Sequence, residues 1–199
     1  MKRASEINLD VREGKRVRNY TMEIVPGVDR PLKVTNGEYV LFQYNGTTAN
    51  GKLSNMCRYG PTDTSVEQRF HLNKILCLAN EVAPQDVMNY CLECLRYDGP
   101  PRGAKRLGSK ATFKSKGFKL DVEMWNSVRK NIMCYLASKR YHEDEEFRRI
   151  IKYCKEKEYT IIHTGRAGAN GYWEGTLKNG ACVGRNVMGY ILMCLYNVN

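Results

Sequence analysis

The chain has 199 residues, of which 42% are hydrophobic, and a formal net charge of +11. This length suits one domain with a real core, and this hydrophobic share excludes global disorder. No apolar run approaches the roughly 18 residues that a spanning helix needs, and the charged start Met1-Lys2-Arg3-Ala4-Ser5-Glu6, with no apolar stretch behind it, does not read as a signal peptide.

The charge favours phosphate-rich partners, either nucleic acid or a nucleotide-like ligand. Eight cysteines without an export signal are expected as reduced thiols in the cytoplasm. Residues 1–35 read as a basic N-terminal extension or outer layer, with Lys15, Arg16 and Arg18 close together, ahead of a main domain over 36–199. Glu38 to Tyr44 is rich in β-formers and predicts a strand, ended by the turn-like run Asn45 to Gly51. A helix is expected from Ser65, with Thr64 as N-cap and Glu67 at the third helical position, a capping-box pattern. Leu72, Ile75, Leu76 and Ala79 continue it with helical spacing.

Pro84 suits the first turn of a second helix, with Val87, Cys91, Cys94 and Leu95 inward. Cys91-Leu92-Glu93-Cys94 has zinc-like spacing, but no second pair accompanies it and both thiols fall on the inner stripe, so they read as core residues. From Asp98 to Lys119 the chain holds Arg102, Lys105, Arg106, Lys110, Lys114, Lys116 and Lys119 with no acid between them, and its glycines and prolines predict a loop. Such a loop either contacts phosphates or stays solvated.

A third helix is expected over 122–140, with Trp125, Val128, Ile132 and Leu136 buried, and a fourth over 143–158, with Phe147, Ile150, Ile151 and Cys154 inward. Tyr159 to His163 reads as a short strand, Gly165 to Gly184 as irregular, and Asn186 to Tyr196 as a buried helix. These elements do not alternate strand with helix, so the expected class is α+β: a single compact, helix-rich domain with a small β element.

Two constellations carry chemistry. Glu67, His71 and Lys74 stand at i, i+4 and i+7 and share one helix face. They suit acid–base or covalent chemistry on one wall of a cleft, unless Glu67 only caps the helix and Lys74 is solvated. The run Gly165-Arg166-Ala167-Gly168-Ala169-Asn170-Gly171-Tyr172-Trp173-Glu174-Gly175 lets backbone amides approach phosphate or sugar, and Tyr172 and Trp173 can stack on a base. The alternative is a plain surface loop with an aromatic anchor. The spacing is not that of a dinucleotide fingerprint.

Taken in order, five segments resemble the NADAR (YbiA-like) family. Leu53-Ser54-Asn55 is similar to its phenylalanine-serine-asparagine element. Ser65-Val66-Glu67-Gln68-Arg69-Phe70 through Lys74 resembles its serine-glutamate-histidine helix ending in glutamine-lysine. Trp125-Asn126-Ser127-Val128 resembles its tryptophan helix, and Asn170-Gly171-Tyr172-Trp173 its aspartate-x-x-tryptophan element. Gly184-Arg185-Asn186-Val187-Met188-Gly189 resembles the asparagine-x-x-glycine opening its last helix. The resemblance spans about residues 40–198 and rests on the order of the motifs. Two positions depart from it: Gln68 stands for the histidine and Asn170 for the aspartate.

The resemblance implies an N-glycosidase-type hydrolase of a ribosyl N-glycosidic bond, and the net charge of +11 favours removal of ADP-ribose from a modified nucleobase in nucleic acid over action on a free metabolite. The alternatives the resemblance leaves are a hydrolase of ribosylated riboflavin-pathway intermediates and a catalytically impaired ADP-ribose or nucleic-acid binding module. It implies catalytic roles for Glu67, Lys74 and Asn170 and substrate binding by Ser54, Asn55, Trp125, Tyr172, Trp173 and Asn186, joined by Arg106 from the basic stretch. No metal or cofactor is implied. Glu67 would stabilise positive charge on the ribose. Lys74 would form an imine with the opened sugar if burial beside Arg69 or Arg106 lowered its pKa. Asn170 cannot act as a base but can orient a ribose hydroxyl. Glu67, Lys74, Trp125, Trp173 and Asn186 are expected around one cleft.

Overall fold

The computed structural model describes residues 8–9, 19–43, 47–60, 63–79 and 81–198. Strands β1 (Asn8–Leu9), β2 (Asn19–Glu23), β3 (Leu32–Thr35) and β4 (Tyr39–Phe42) lead to a 3-10 turn at Ala49–Leu53. Next come β5 (Arg58–Tyr59), β6 (Thr64–Ser65) and helices α1 (Val66–Ile75), α2 (Pro84–Leu95), α3 (Pro101–Leu107), α4 (Lys110–Ser115) and α5 (Val122–Glu143). The chain then forms α6 (Glu145–Glu156), β7 (Thr160–His163), a 3-10 turn at Gly168–Asn170, β8 (Thr176–Lys178), β9 (Ala181–Val183) and α7 (Val187–Cys194), and ends in a 3-10 turn at Leu195–Asn197. The class is α+β with more helix than strand, as the sequence pattern predicts. No described helix is long and apolar enough to cross a membrane.

The chain divides into two compact units, one drawn from residues 1–54 and 144–199, the other from 55–143. In the first, a five-stranded sheet runs in the order β1-β2-β3-β4-β7, antiparallel except for the parallel β4–β7 pair. Alternation sets its two faces: Leu32 and Val34 of β3 and Val40 and Phe42 of β4 are buried, while Lys33 and Leu41 between them turn to the other side. The segment read as an extension contributes to this sheet, because β2 pairs with β3 from Tyr20↔Thr35 to Glu23↔Leu32. The Glu23 carboxylate accepts hydrogen bonds from Tyr153 (3.0 Å) and Tyr159 (2.8 Å). Lys15, Arg16 and Arg18 lie outside the described residues, as do Tyr44, Asn45 and Gly46 of the expected strand end and turn.

The expected stripe of α6 is borne out, with Phe147, Ile150, Ile151 and Cys154 all fully buried. Asp144 caps that helix by accepting from the Phe147 amide at 3.0 Å. Helix α7 packs on β7. A Cβ built at Gly189 would stand 2.2 Å from the Ile161 carbonyl oxygen, so only glycine lets α7 approach that strand. The irregular stretch before α7 contains the β8–β9 hairpin.

In the second unit α1 packs against α2, α3 and α5. Its cap lies one residue later than expected: the Ser65 hydroxyl, not that of Thr64, accepts from the Gln68 amide at 3.1 Å. Glu67 therefore sits at the second helical position, and its own amide donates to the Asn55 carbonyl at 2.9 Å. A capping box would need position three, which holds Gln68, and that side chain is used elsewhere.

Helix α2 opens at Pro84 as expected. Cys91 and Cys94 join Ile75, Leu78, Tyr90 and Phe113 in an apolar cluster, whereas Leu95 is exposed. Burial pushes the Cys94 thiol up to about 11. The stretch from Asp98 to Lys119 is not the loop its glycines and prolines predict. Pro101 occupies the first turn of α3, the Ser109 hydroxyl caps α4 by accepting from Thr112 N at 3.2 Å, and Ala104 and Phe113 bury the inner sides. Two short amphipathic turns with good start signals override the breaker content. On α5, Trp125 and Leu136 are buried and Val128 and Ile132 half-buried. All eight cysteines are free thiols.

Candidate functional site

Helix α1 carries a row of three ionisable side chains on one face. The His71 Nε2 lies 3.1 Å from the Glu67 Oε1, and the two side chains are only 9% and 12% exposed. Their four-residue spacing places them one turn apart, and burial makes such a pair rigid. The other ring nitrogen, His71 Nδ1, is buried with no hydrogen-bond partner. The reason is Gly108, in the turn between α3 and α4: a Cβ built there would stand 2.0 Å from His71 Nδ1, so the glycine backbone closes directly over the imidazole.

Lys74 follows one turn further along. Its Nζ donates to the Gly108 carbonyl at 2.7 Å and stands 5.3 Å and 5.9 Å from the ring centroids of Phe113 and Trp125. Trp125 in turn packs edge-on against Phe70 at 4.8 Å. The Lys74 ammonium ion is held below its ordinary pKa, first by burial, then by the like charge of Lys110, with Glu67 opposing both. The neighbour differs from the expected Arg69 or Arg106. Arg69 serves a separate cluster, bonding Thr64 Oγ1 at 2.8 Å and the Tyr59 hydroxyl at 3.2 Å and pairing with Glu143 at 3.6 Å. Arg106 is exposed on α3. Lys105, Arg106, Lys110 and Lys114 all face solvent around the α3–α4 turn.

Gln68, standing where the resemblance puts a histidine, is 3% exposed. Its Nε2 donates to the carbonyls of Cys94 (2.9 Å) and Tyr97 (3.0 Å), closing the C-terminal end of α2. Asn55 donates its amide to Met133 Sδ at 3.4 Å. These residues, Glu67, Lys74, Arg106 and Trp125 belong to the second unit, and the structure brings Glu67, His71, Lys74 and Trp125 together there.

Ser54, Asn170, Tyr172, Trp173 and Asn186 belong to the first unit. Ser54 is buried at the end of its 3-10 turn. Tyr172 and Trp173 meet edge to face at 4.9 Å, with the Arg185 guanidinium 5.7 Å over the Tyr172 ring. Asn170 is exposed on the 3-10 turn. The glycines around it house a side chain: a Cβ on Gly171 would reach within 2.0 Å of Glu174 Oε2, and one on Gly165 within 2.7 Å of Glu174 Cγ. Asn186 is 1% exposed. Its Oδ1 accepts from His163 N at 3.0 Å and its Nδ2 donates to Ile161 O at 2.8 Å. With φ at 43° it turns the chain into α7. Its task here is to tie β7 to α7.

The sequence pattern puts His71 on the α1 face without a role, and it puts Gly108 and Lys110 in the basic stretch with no sign that either meets the α1 side chains. The i, i+4 spacing signals the first. Nothing local signals the other two, because a turn 34 residues from Lys74 delivers them. Among the described residues no group of histidine, cysteine and acidic side chains is arranged to hold a metal. Comparison of the chain with family models, curated proteins and solved structures finds no match.

Proposed function

We propose that the protein is an N-glycosidase-type hydrolase that removes ADP-ribose from a modified nucleobase in nucleic acid, acting in the cytoplasm. The observation that carries the reading is the desolvated Lys74 ammonium on the same helix face as the nearly buried Glu67 carboxylate. Its substrate class comes from the resemblance to the NADAR family. The net charge of +11 and the cations around the α3–α4 turn are in keeping with a phosphate-bearing substrate.

In this reading the C1′–N bond breaks and its electron pair leaves with the base. Lys74, whose depressed pKa makes its ammonium a stronger acid, donates a proton to that base. The ribose becomes oxocarbenium-like, and the Glu67 carboxylate faces the growing positive charge. Water adds to C1′ and gives its proton to Glu67, and transfer of that proton to Lys74 restores the site. His71 fixes the carboxylate from one side, and Trp125 offers an aromatic wall for stacking. A second mechanism keeps the same residues but lets the unprotonated Lys74 attack C1 of the ring-opened ribosyl group; the C1–N bond to the base breaks, the base leaves with its electron pair and takes up a proton from the attacking amine, and water then hydrolyses the lysine imine to release the sugar and restore Lys74.

A second reading, an ADP-ribose or nucleic-acid binding module without turnover, is favoured by one observation: the exposed residue before the tryptophan element is the amide Asn170, which cannot take up a proton. Incubation with ADP-ribosylated DNA, ADP-ribosylated protein and ribosylaminouracil phosphate, followed by mass spectrometry, separates the readings. Release of ADP-ribose from DNA is the expected result. Release of ribose phosphate from the third substrate would assign the riboflavin-pathway alternative, and binding without release from any of them would assign the binding module.

A further inference from the structure

We propose that the outer face of β2, β3 and β4 forms a second small-molecule site, one that takes an anion carried on a planar aromatic or heteroaromatic ring. The site rests on the first unit alone and is independent of the chemistry proposed for α1.

The site exists because β3 and β4 separate. They share a single register pair, Thr35↔Tyr39, beside their turn. Further along, at Lys33 and Leu41, the Asn50 side chain fills the gap that ladder hydrogen bonds would occupy. Its Oδ1 accepts from Lys33 N (2.7 Å) and Thr48 Oγ1 (3.0 Å), and its Nδ2 donates to Lys33 O (2.8 Å) and Leu41 O (2.9 Å). Asn50 thus uses two donors and two acceptor positions, the full capacity of a primary amide, and it is 5% exposed. A fully satisfied buried amide of this kind fixes both strands and the start of the 3-10 turn, so the space beside it is preformed.

That space is an open cavity of about 350 Å³, within the range of small-ligand pockets. Pleating decides its chemistry. Lys33 and Leu41 face it because they alternate with the buried residues of β3 and β4; Met22 pairs directly with Lys33 and Tyr20 stands two residues away on the same strand, so both share that side, and Thr48 and Gln43 border it. Met22, Leu41 and the Tyr20 ring give it apolar surface, and Gln43, Thr47 and Thr48 give it polar surface. Lys33 supplies the charge, with its Nζ 3.7 Å from the Tyr20 ring centroid. No carboxylate among the described residues pairs with that ammonium.

A cation resting on an aromatic face beside a thioether and a leucine side chain offers one charge-assisted hydrogen bond and one stacking surface. A planar anion uses both. An aliphatic cation would meet Lys33 with like charge, and a neutral ring would leave the ammonium without a counter-ion.

The test is a titration of the full chain, carrying ¹³C-labelled methionine methyl groups, with two probes: 2-naphthoate, whose carboxylate lies on the ring, and AMP, whose phosphate lies one sugar away. A saturable shift of the Met22 methyl resonance by either probe is expected, and the probe that binds more tightly gives the spacing between ring and anion. Lys33→Ala should weaken binding by roughly tenfold or more, the size of a charged hydrogen bond, and Tyr20→Leu should weaken it as well. Lys74→Ala should leave the Met22 shift unchanged, which separates this site from α1. Thermal melts of Lys33→Ala and Tyr20→Leu confirm that the variants fold. The proposal is overturned if neither probe shifts Met22 saturably up to about 5 mM, a concentration that would reveal even millimolar affinity. It is equally overturned if both variants bind as the parent does.

Discussion

Replacing Gly108 by alanine tests the placement of the α1 side chains more directly than removing any of them. The added methyl carbon would stand 2.0 Å from His71 Nδ1, 2.4 Å from Cγ and 2.8 Å from Cβ. Real Cβ contacts essentially never fall below 3.0 Å, so the gap must open by about an ångström or more. The imidazole is a poor candidate to move, because it is buried and its Nε2 is 3.1 Å from Glu67. If the α3–α4 turn retreats instead, the Gly108 carbonyl leaves Lys74, whose bond to it is 2.7 Å. Either movement breaks one polar contact on top of the overpacking, which alone costs about 1–3 kcal/mol. A loss of about 2 kcal/mol should lower the midpoint of thermal unfolding by roughly 4–8 °C for a chain of this length. Circular dichroism melts supply the stability reading, and the His71 ring resonances report which side gave way. Should Gly108→Ala melt with the parent and leave those resonances in place, the close approach of Gly108 to His71 is wrong.

Four further outcomes are expected. Glu67→Gln keeps an oxygen facing His71 but removes the negative charge, so the rate of ADP-ribose release should fall by roughly two to three decades. Lys74→Ala should abolish turnover if its amine forms an imine, in which case borohydride traps the parent on its sugar product; wild-type rates in both variants would place the chemistry elsewhere. The amine of Lys74, read by pH-dependent labelling and mass spectrometry, should titrate below the ordinary lysine value of 10.5, because burial and Lys110 both disfavour its charged form. Lys110→Glu reverses the sign of one of those causes and should raise it, and an unmoved titration curve would remove Lys110 from the account. Affinity for ADP-ribosylated DNA should decline steeply with salt as Lys105 and Arg106 release counterions, and Lys105→Glu with Arg106→Glu should flatten that slope; a slope already flat in the parent counts against the α3–α4 surface.

The sequence by itself determined most of what depends on local pattern within one element, Leu95 on α2 being an exposed exception. The stripe of Phe147, Ile150, Ile151 and Cys154, the strand ending at His163 and the shared face of Glu67, His71 and Lys74 follow from repeats of two or 3.6 residues, and the start of α2 at Pro84 from proline's fit to a first helical turn, all local properties of the backbone. The same locality explains the errors. Glycine and proline content predicts a loop from Asp98 to Lys119, but Ser109 as a cap and Ala104 and Phe113 as buried anchors stabilise two short helices there. Thr64 and Ser65 are chemically equal as caps, and only the backbone decides that Ser65 accepts the bond.

Tertiary structure decided what surrounds each of these side chains. Gly108 over His71, Lys110 beside Lys74, Asn186 joining β7 to α7, and Asn50 standing in for ladder bonds between β3 and β4 each unite residues well separated along the chain. A glycine or an asparagine looks the same in sequence whether it turns a surface loop or fits a gap in the core. The difference arises only when folding removes water from around it, because a buried polar group must then find a partner and a buried Cβ must find space.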